Sequence, residues 1–125
     1  MPSDLDRLAA ENYVLLTTFR KDGSAVPTPV WVARDGDELL VYSAPDAGKV
    51  KRIRRDGTVR VGACDVRGRP KGDDVPGHAR LLDDAGVRRT LDLIKQKYGL
   101  LARITMLGSK LRRRALPGGI AIKLE

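Results

Sequence analysis

The chain has 125 residues, of which 42% are hydrophobic but only 4% aromatic, and this predicts one domain with a core of aliphatic side chains. The sequence has a net charge of +8, no apolar run near the roughly 20 residues of a membrane span, and a charged N-terminal segment, which together argue against a membrane or secreted protein. One cysteine and one histidine exclude an internal disulfide and a histidine-rich metal site within one chain, so we expect a cytoplasmic protein without a metal.

In chain order, the hydrophobic pattern and the turn residues predict a small antiparallel barrel with short helices. The predicted elements are helix Leu5–Asn12, strands Tyr13–Phe19, Val26–Ala33 and Glu38–Ser43, helix Lys49–Arg55, strands Thr58–Val66 and His78–Leu82, helices Ala85–Tyr98 and Leu100–Leu111, and strand Gly119–Leu124. Because the strands follow one another in hairpins without βαβ repeats, we expect a mainly β (α+β) fold. Pro27 and Pro29 lack an N–H group, so their strand needs an edge that is free or faces a ligand.

The charge is distributed unevenly along the chain. Residues 1–46 contain eight acidic and four basic residues, whereas residues 47–125 contain eight acidic and twenty basic ones. Such an imbalance indicates an anionic partner, either a nucleic acid, an acidic membrane surface or a phosphorylated cofactor, although a solvated basic surface is the plain alternative. The basic residues form two clusters, namely Lys49, Lys51, Arg52, Arg54 and Arg55, and then Arg103, Lys110, Arg112, Arg113 and Arg114.

Few residues of the sequence are suited to catalysis without a cofactor. His78, the one histidine, falls in a predicted strand, and Cys64 falls in an alternating strand that is typical of a core position. No CxxC, HExxH or Walker-type motif occurs. An enzyme built on this chain would therefore take its chemistry from a bound cofactor.

The segment from Ser43 to Arg52 has the features of a phosphate site. It runs from a strand end through a loop of small residues into the start of a predicted helix, where backbone N–H groups and the helix dipole favour an anion. Lys49, Lys51 and Arg52 add full positive charges at the same end of the helix. Charge and dipole together predict anion binding here.

The segment YVLLTTFRKDGSAVPTPVWVARDGDELLVYSAPDAGKVKRIRRDGTVRVGACDVRGRP resembles the pyridoxamine 5′-phosphate oxidase-like (PPOX class) split β-barrels. It is most similar to their branch of deazaflavin (coenzyme F420)-dependent reductases, the flavin/deazaflavin oxidoreductases. The most specific signals are TPVW, then YSA and then GKVKRI, in this order and spacing. The resemblance implies that residues 1–125 form one FMN-binding-type split-barrel domain, and that two copies form a homodimer with the cofactor in a groove between them.

The resemblance also implies roles for individual residues. The lysine that opens the short helix contacts the cofactor phosphate, its basic neighbours reach the phosphate or the poly-γ-glutamate tail of F420, and the TPVW strand lies along the ring system. Trp31 is equally well explained as a core tryptophan. The cofactor-binding residues that the resemblance implies are Lys49, Lys51, Arg52, Arg55, Ser43, Thr28, Pro29, Val30 and Trp31, with Arg69 and Lys71 in the pocket wall.

The sequence departs from the family pattern in front of the short helix. Members that bind FMN commonly carry an Arg-Lys pair there, whereas Ala47 and Gly48 precede Lys49 in this chain. We therefore expect an F420-dependent oxidoreductase that passes a hydride between reduced F420 and a small organic acceptor, with no catalytic residue identified. An FMN-binding oxidase or reductase of the same fold is the alternative. A non-enzymatic nucleic-acid-binding module is a third hypothesis, but the chain lacks the aromatic residues that single-strand binders use, so we expect no nucleic-acid partner.

Strand Val26–Ala33 also predicts self-association. Alternation places Val26, Thr28, Val30 and Val32 on one face and Pro27, Pro29, Trp31 and Ala33 on the other, and both faces are largely apolar. One face would pack into the barrel and the other against a partner or the cofactor. We therefore expect a two-fold homodimer with two cofactor sites, in which the last helix, with Arg112, Arg113 and Arg114, lies near the partner's site.

Overall fold

The computed structural model describes residues 3–43, 48–99 and 118–125, and this part of the chain forms one antiparallel sheet of seven strands with three helices. In chain order the elements are α1 Asp4–Ala9, β1 Val14–Phe19, β2 Ala25–Val30, β3 Ala33–Asp35, β4 Glu38–Ser43, α2 Gly48–Arg55, β5 Thr58–Ala63, β6 Val75–Leu81, α3 Asp84–Tyr98 and β7 Gly118–Leu124. None of the helices in these ranges is both long and apolar enough to cross a membrane.

The strand order is β2-β1-β5-β6-β7-β4-β3, and each neighbouring pair is antiparallel. The two edge strands, β2 and β3, are consecutive in the chain and are separated only by Trp31 and Val32. Three residue steps span at most about 11 Å, so the sheet must curl until its edges nearly meet. Because β2 and β3 do not pair, the barrel stays open at this point. The predicted antiparallel split barrel is confirmed.

The core lies inside the curled sheet. It is filled by alternate residues of β1, β4, β5 and β7, and by Val50 and Ile53, which α2 inserts from one end. A second, smaller cluster lies under α3, around Val87, Leu91 and Ile94. Since α3 covers part of the outer surface, β4 is buried on both faces there.

Most predicted elements are confirmed with small shifts at their ends. Ser3 caps α1, because its hydroxyl accepts a hydrogen bond from the Asp6 N–H at 3.1 Å. The strand predicted at Thr58–Val66 ends at Ala63, and the one predicted at His78–Leu82 begins at Val75. The loop residues 44–47, the predicted helix Leu100–Leu111 and the second basic cluster lie outside the described residues.

The prediction of one strand over Val26–Ala33 was wrong, since the structure divides it into β2 and β3. The reason is a set of hydrogen bonds from α3 to the intervening residue Val32. The Val32 N–H donates to the Tyr98 hydroxyl at 3.1 Å, and the Val32 carbonyl accepts from the Lys97 ammonium at 2.8 Å. Side chains of α3 thus satisfy backbone groups that a continuous strand would use in its ladder.

Candidate functional site

The first turn of α2 brings together two of the predicted cofactor-binding cations. Val50 and Ile53 are buried against the sheet, and this orientation leaves Lys49 and Arg52 partly buried near the start of the helix. The backbone N–H groups of this turn and the positive end of the helix dipole point the same way. The first turn of α2 therefore combines the full positive charges of Lys49 and Arg52 with the partial positive charge of the helix N-terminus.

Arg52 is fixed by a contact with the sheet. Its Nε donates to the Oγ1 of Thr18 at 2.6 Å, and Thr18 is only 1% exposed. The guanidinium also lies over the start of α2, because a Cβ added to Gly48 would come within 2.8 Å of its Nη1. Arg52 thus folds back by one turn and places its charge at the helix N-terminus.

Lys49 lies in a field that disfavours its charge. Burial, followed by the positive charge of Arg52, lowers the pKa of Lys49 below its ordinary value. Among the described residues, neither Lys49 nor Arg52 takes part in an ion pair with a carboxylate. Two neighbouring cations favour binding of an anion, whose negative charge would offset both their mutual repulsion and the cost of their partial burial.

The other two basic residues of this cluster differ in their surroundings. Lys51 is exposed. Arg55 is also exposed and lies at the far end of α2, where its Nη2 donates to the carbonyl of Phe19 at 2.6 Å. A rise of 1.5 Å per residue puts Arg55 about 9 Å from Lys49 along the helix axis. Lys51 and Arg55 thus flank the two-cation site rather than form it.

The predicted ring-binding residues of β2 are divided between the two faces of the sheet. In the ladder with β1, Thr28 pairs with Leu16 and Pro29 with Leu15. Thr28 and the buried Val30 therefore face the barrel interior, on the side that carries Thr18, whereas Pro29 faces outward.

The outward side of Pro29 is covered by the loop that was predicted to form the pocket wall. A Cβ on Gly68 would be 3.5 Å from Pro29, so this loop packs directly on β2. Asp65 holds the loop by accepting hydrogen bonds from the N–H groups of Arg67 and Arg69, both at 2.9 Å. The backbone of Arg69 is therefore ordered near β2, while its side chain is exposed.

The remaining two predicted residues, Lys71 and Ser43, belong to other elements than α2. The ammonium of Lys71 forms an ion pair with Glu11 at 3.0 Å, and this pair ties the loop to the segment after α1. Ser43 is buried at the end of β4, opposite Gly118 of β7. Their roles in cofactor binding stay predictions.

Trp31 packs with aromatic residues of the second core cluster. Its ring stacks on Tyr98 with centroids 4.5 Å apart and 10° between the planes, and it meets Tyr42 edge-on at 6.2 Å. One face of the indole is thereby occupied by the protein itself. This packing favours the interpretation of Trp31 as a core tryptophan, and a cofactor contact by this residue stays a prediction.

Sequence reasoning missed Thr18 and Gly48. Thr18 falls within an apolar strand, and the one available signal is that a hydroxyl faces the barrel interior, where it needs a partner. Gly48 stands out in the sequence only as the residue before Lys49, four positions ahead of Arg52. Helix geometry places residues four apart on the same face, and this spacing could have indicated the contact.

The other candidate reactive groups offer no second site. Cys64 is buried, and burial raises the pKa of its thiol above the ordinary value, which disfavours the reactive thiolate. His78 is exposed on β6. Within residues 3–43, 48–99 and 118–125, no group of three or more His, Cys, Asp or Glu side chains could hold a metal ion. The pair of cations on α2 is therefore the candidate site that the described part of the chain presents.

Many solved structures resemble this chain, among them the following three. A conserved hypothetical protein from Mycobacterium tuberculosis has 17% identity and a TM-score of 0.74, over 100% of this chain and 82% of that one. An F420 reductase has 17% identity and a TM-score of 0.66, over 100% of this chain and 96% of that one. An F420-H2-dependent reductase, FDR-A, has 16% identity and a TM-score of 0.67, over 90% of this chain and 94% of that one. At these identities the similarity establishes the fold alone.

The family comparison covers almost the whole sequence. No curated protein is significantly similar to the chain. The family model described as pyridoxamine 5′-phosphate oxidase, however, matches residues 4–121. The chain therefore belongs to the pyridoxamine 5′-phosphate oxidase-like family of split-barrel proteins.

Proposed function

We propose that this protein binds coenzyme F420 with its phosphodiester at the first turn of α2, and that it passes a hydride between reduced F420 and a small organic acceptor. The observation that carries the proposal is the pair formed by Lys49 and Arg52, which lie side by side without a carboxylate partner among the described residues. The two F420 reductases with this fold support the choice of cofactor.

The residues present fit a phosphodiester. The Lys49 ammonium offers three donors, and among the described residues Thr18 bonds only to Nε of Arg52, so that the two terminal amino groups can donate to a ligand. Charge-assisted bonds of this kind are about twice as strong as neutral ones. Lys51 and Arg55 lie beside the site, and there they would attract the poly-γ-glutamate tail through screened charges.

The edge of β2 suits a planar ring. In a regular ladder with β1, Pro27 and Pro29 must occupy the positions whose N–H groups would point away from β1. The outer edge of β2 therefore offers carbonyl acceptors but no N–H donors at these positions. A ring that carries its own N–H group could bind to such an edge.

The cofactor would supply the hydride, and the protein would supply binding and orientation. Lys49 and Arg52 would hold the phosphate, and Thr28 and the edge of β2 would fix the ring relative to it. No described residue is assigned as a proton donor.

We further propose that two copies form a homodimer around two such sites in the cytoplasm. On the outer face of β1 and β2, beyond the part that the loop around Gly68 covers, Phe19 is partly exposed and Pro27 is exposed, and they offer an apolar surface for a second copy.

FMN is the second candidate cofactor, because Lys49 and Arg52 would also hold its terminal phosphate. The absence of an arginine before Lys49 favours F420. Nucleic-acid binding has less support from the described residues. Arg60, Arg80 and Arg89 each form an ion pair with a carboxylate, at 2.7, 2.9 and 3.3 Å, and this reduces the basic surface.

Calorimetric titration with F420 and with FMN tests the proposal. We expect F420 to bind more tightly, and reduced F420 to be oxidised by a conjugated acceptor only in the presence of the protein. Tighter binding of FMN would favour the alternative cofactor. Failure of both cofactors to bind at micromolar concentration, together with steeply salt-dependent binding of DNA, would contradict the proposal.

A further inference from the structure

We infer that Gly48 and Thr18 are positioning residues for Arg52, and that together they place its guanidinium at the first turn of α2, beside Lys49. The inference rests on the proposed function, because it concerns how the same phosphate site is built. Ala47 and Gly48 contribute no charge in front of Lys49. The second cation therefore comes from one helical turn further along the chain.

Helix geometry directs Arg52 toward this place. Side chains on a helix lean toward its N-terminus, so a long side chain covers the residue four positions earlier. For Arg52 that residue is Gly48. A Cβ at position 48 would lie 2.8 Å from Nη1 and 3.4 Å from both Cζ and Nη2 of Arg52. All three of these nearest atoms belong to the guanidinium, so a side chain at position 48 would take its place.

The backbone at position 48 does not itself require glycine. The glycines with positive φ among the described residues are Gly23, Gly36, Gly68 and Gly99, and Gly48 is not one of them. Alanine could adopt the same backbone conformation and is favoured over glycine in helices. The benefit of glycine at this position is therefore the space that it leaves for Arg52.

Thr18 fixes the guanidinium from the other side. Its buried hydroxyl accepts from Nε of Arg52 at 2.6 Å, and Nε is the nitrogen nearest the side-chain stem. The bond orients the guanidinium plane and leaves Nη1 and Nη2, the pair that binds oxyanions in a bidentate way. Gly48 thus provides the space and Thr18 the orientation.

This arrangement predicts that stability and affinity respond differently to Gly48→Ala. The new methyl group would displace the far end of a flexible side chain, so the melting temperature should stay the same or rise. The affinity for F420 should nevertheless fall about tenfold, the typical effect of losing one charge-assisted hydrogen bond. A glycine needed only for folding would show the opposite pattern.

A double-mutant cycle tests the inference. Calorimetry with F420 would compare Gly48→Ala and Thr18→Val in the wild-type protein and in an Arg52→Gln background. We expect each to weaken binding about tenfold in the wild type, but less than about twofold when Arg52 is already replaced. Thr18→Ser keeps the hydroxyl and should bind F420 as the wild type does.

The possible failures can be told apart. If Arg52→Gln weakens binding but Gly48→Ala does not, or if Gly48→Ala is equally harmful in the Arg52→Gln background, the positioning role is wrong and the phosphate site stands. If Arg52→Gln leaves the affinity unchanged, the proposed phosphate site is itself wrong. If Thr18→Val does not fold, the comparison of Gly48→Ala in the wild type and in the Arg52→Gln background still tests the positioning role.

Discussion

Replacement of Lys49 by methionine separates its part in binding from its part in folding. Methionine keeps the length and flexibility of the side chain but removes the charge. In the free protein, burial and the neighbouring Arg52 make the charge of Lys49 unfavourable, as the lowered pKa shows. We therefore expect Lys49→Met to fold at least as stably as the wild type while binding F420 more weakly.

The size of the affinity loss follows from the contact that disappears. A charge-assisted hydrogen bond to a phosphate contributes about 1.5–3 kcal/mol, so the dissociation constant should rise roughly 10- to 150-fold. Lys51→Met is the matched control, because it removes the same charge from an exposed position on the same helix. Its effect should be smaller and should vanish in high salt.

The pH dependence gives a second signature of Lys49. A lysine whose pKa is lowered in the folded state destabilises the fold wherever it is charged, and this cost disappears as pH rises above the ordinary value of 10.5. The stability advantage of Lys49→Met should therefore be present at neutral pH and absent above 10.5. Calorimetry and thermal unfolding measure both effects. A dissociation constant within twofold of the wild type, or an equal loss in Lys51→Met, would refute the reasoning.

Three further predictions concern the fold and the tail of the cofactor. Tyr98→Phe removes a hydroxyl that accepts from the Val32 N–H and donates to the carbonyl of Asn12, so the free energy of unfolding should fall by about 1–3 kcal/mol in chemical denaturation. Burial raises the pKa of Tyr98 to about 12, so the wild type should also lose stability between pH 10 and 12, and the phenylalanine variant should lack that loss. Gly57→Ala would place a Cβ 2.5 Å from the carbonyl oxygen of Ala79 and should lower the free energy of unfolding by about 1–3 kcal/mol. Gly72→Ala is the control: its Cβ would have no atom within 4 Å, so the free energy of unfolding should change by less than about 0.5 kcal/mol. At low salt, the affinity for F420 should rise with the number of glutamates in its tail, and Lys51→Gln should reduce this increase in affinity. Equal binding of short- and long-tailed F420 would contradict the prediction.

The strands and helices were largely predictable because their signals are local. The Asp-Gly turn, together with β-branched and apolar residues, located β1 and the start of β2, and Asp83 marked the start of α3 by capping it. The break at Val32 was not predictable, since it depends on hydrogen bonds from Lys97 and Tyr98, which lie some 65 residues away in sequence. Tertiary contacts of this range leave no local pattern.

For the candidate site too, residues with a local signal could be predicted and long-range contacts could not. The position of Lys49 at a helix start could be predicted from spacing and charge. The contact of Arg52 with Thr18 could not, because it joins α2 to β1 across 34 positions. Trp31 was ambiguous for a related reason, since only the fold shows that Tyr98 stacks on its ring.

The most direct test of the central claim is a crystal structure of the protein with F420 bound. We predict that the phosphodiester lies within hydrogen-bond distance of the Lys49 ammonium and of the terminal amino groups of Arg52, with Nε of Arg52 still bonded to Thr18. A phosphodiester bound away from the first turn of α2, with Lys49 and Arg52 free of contact with the cofactor, would contradict it.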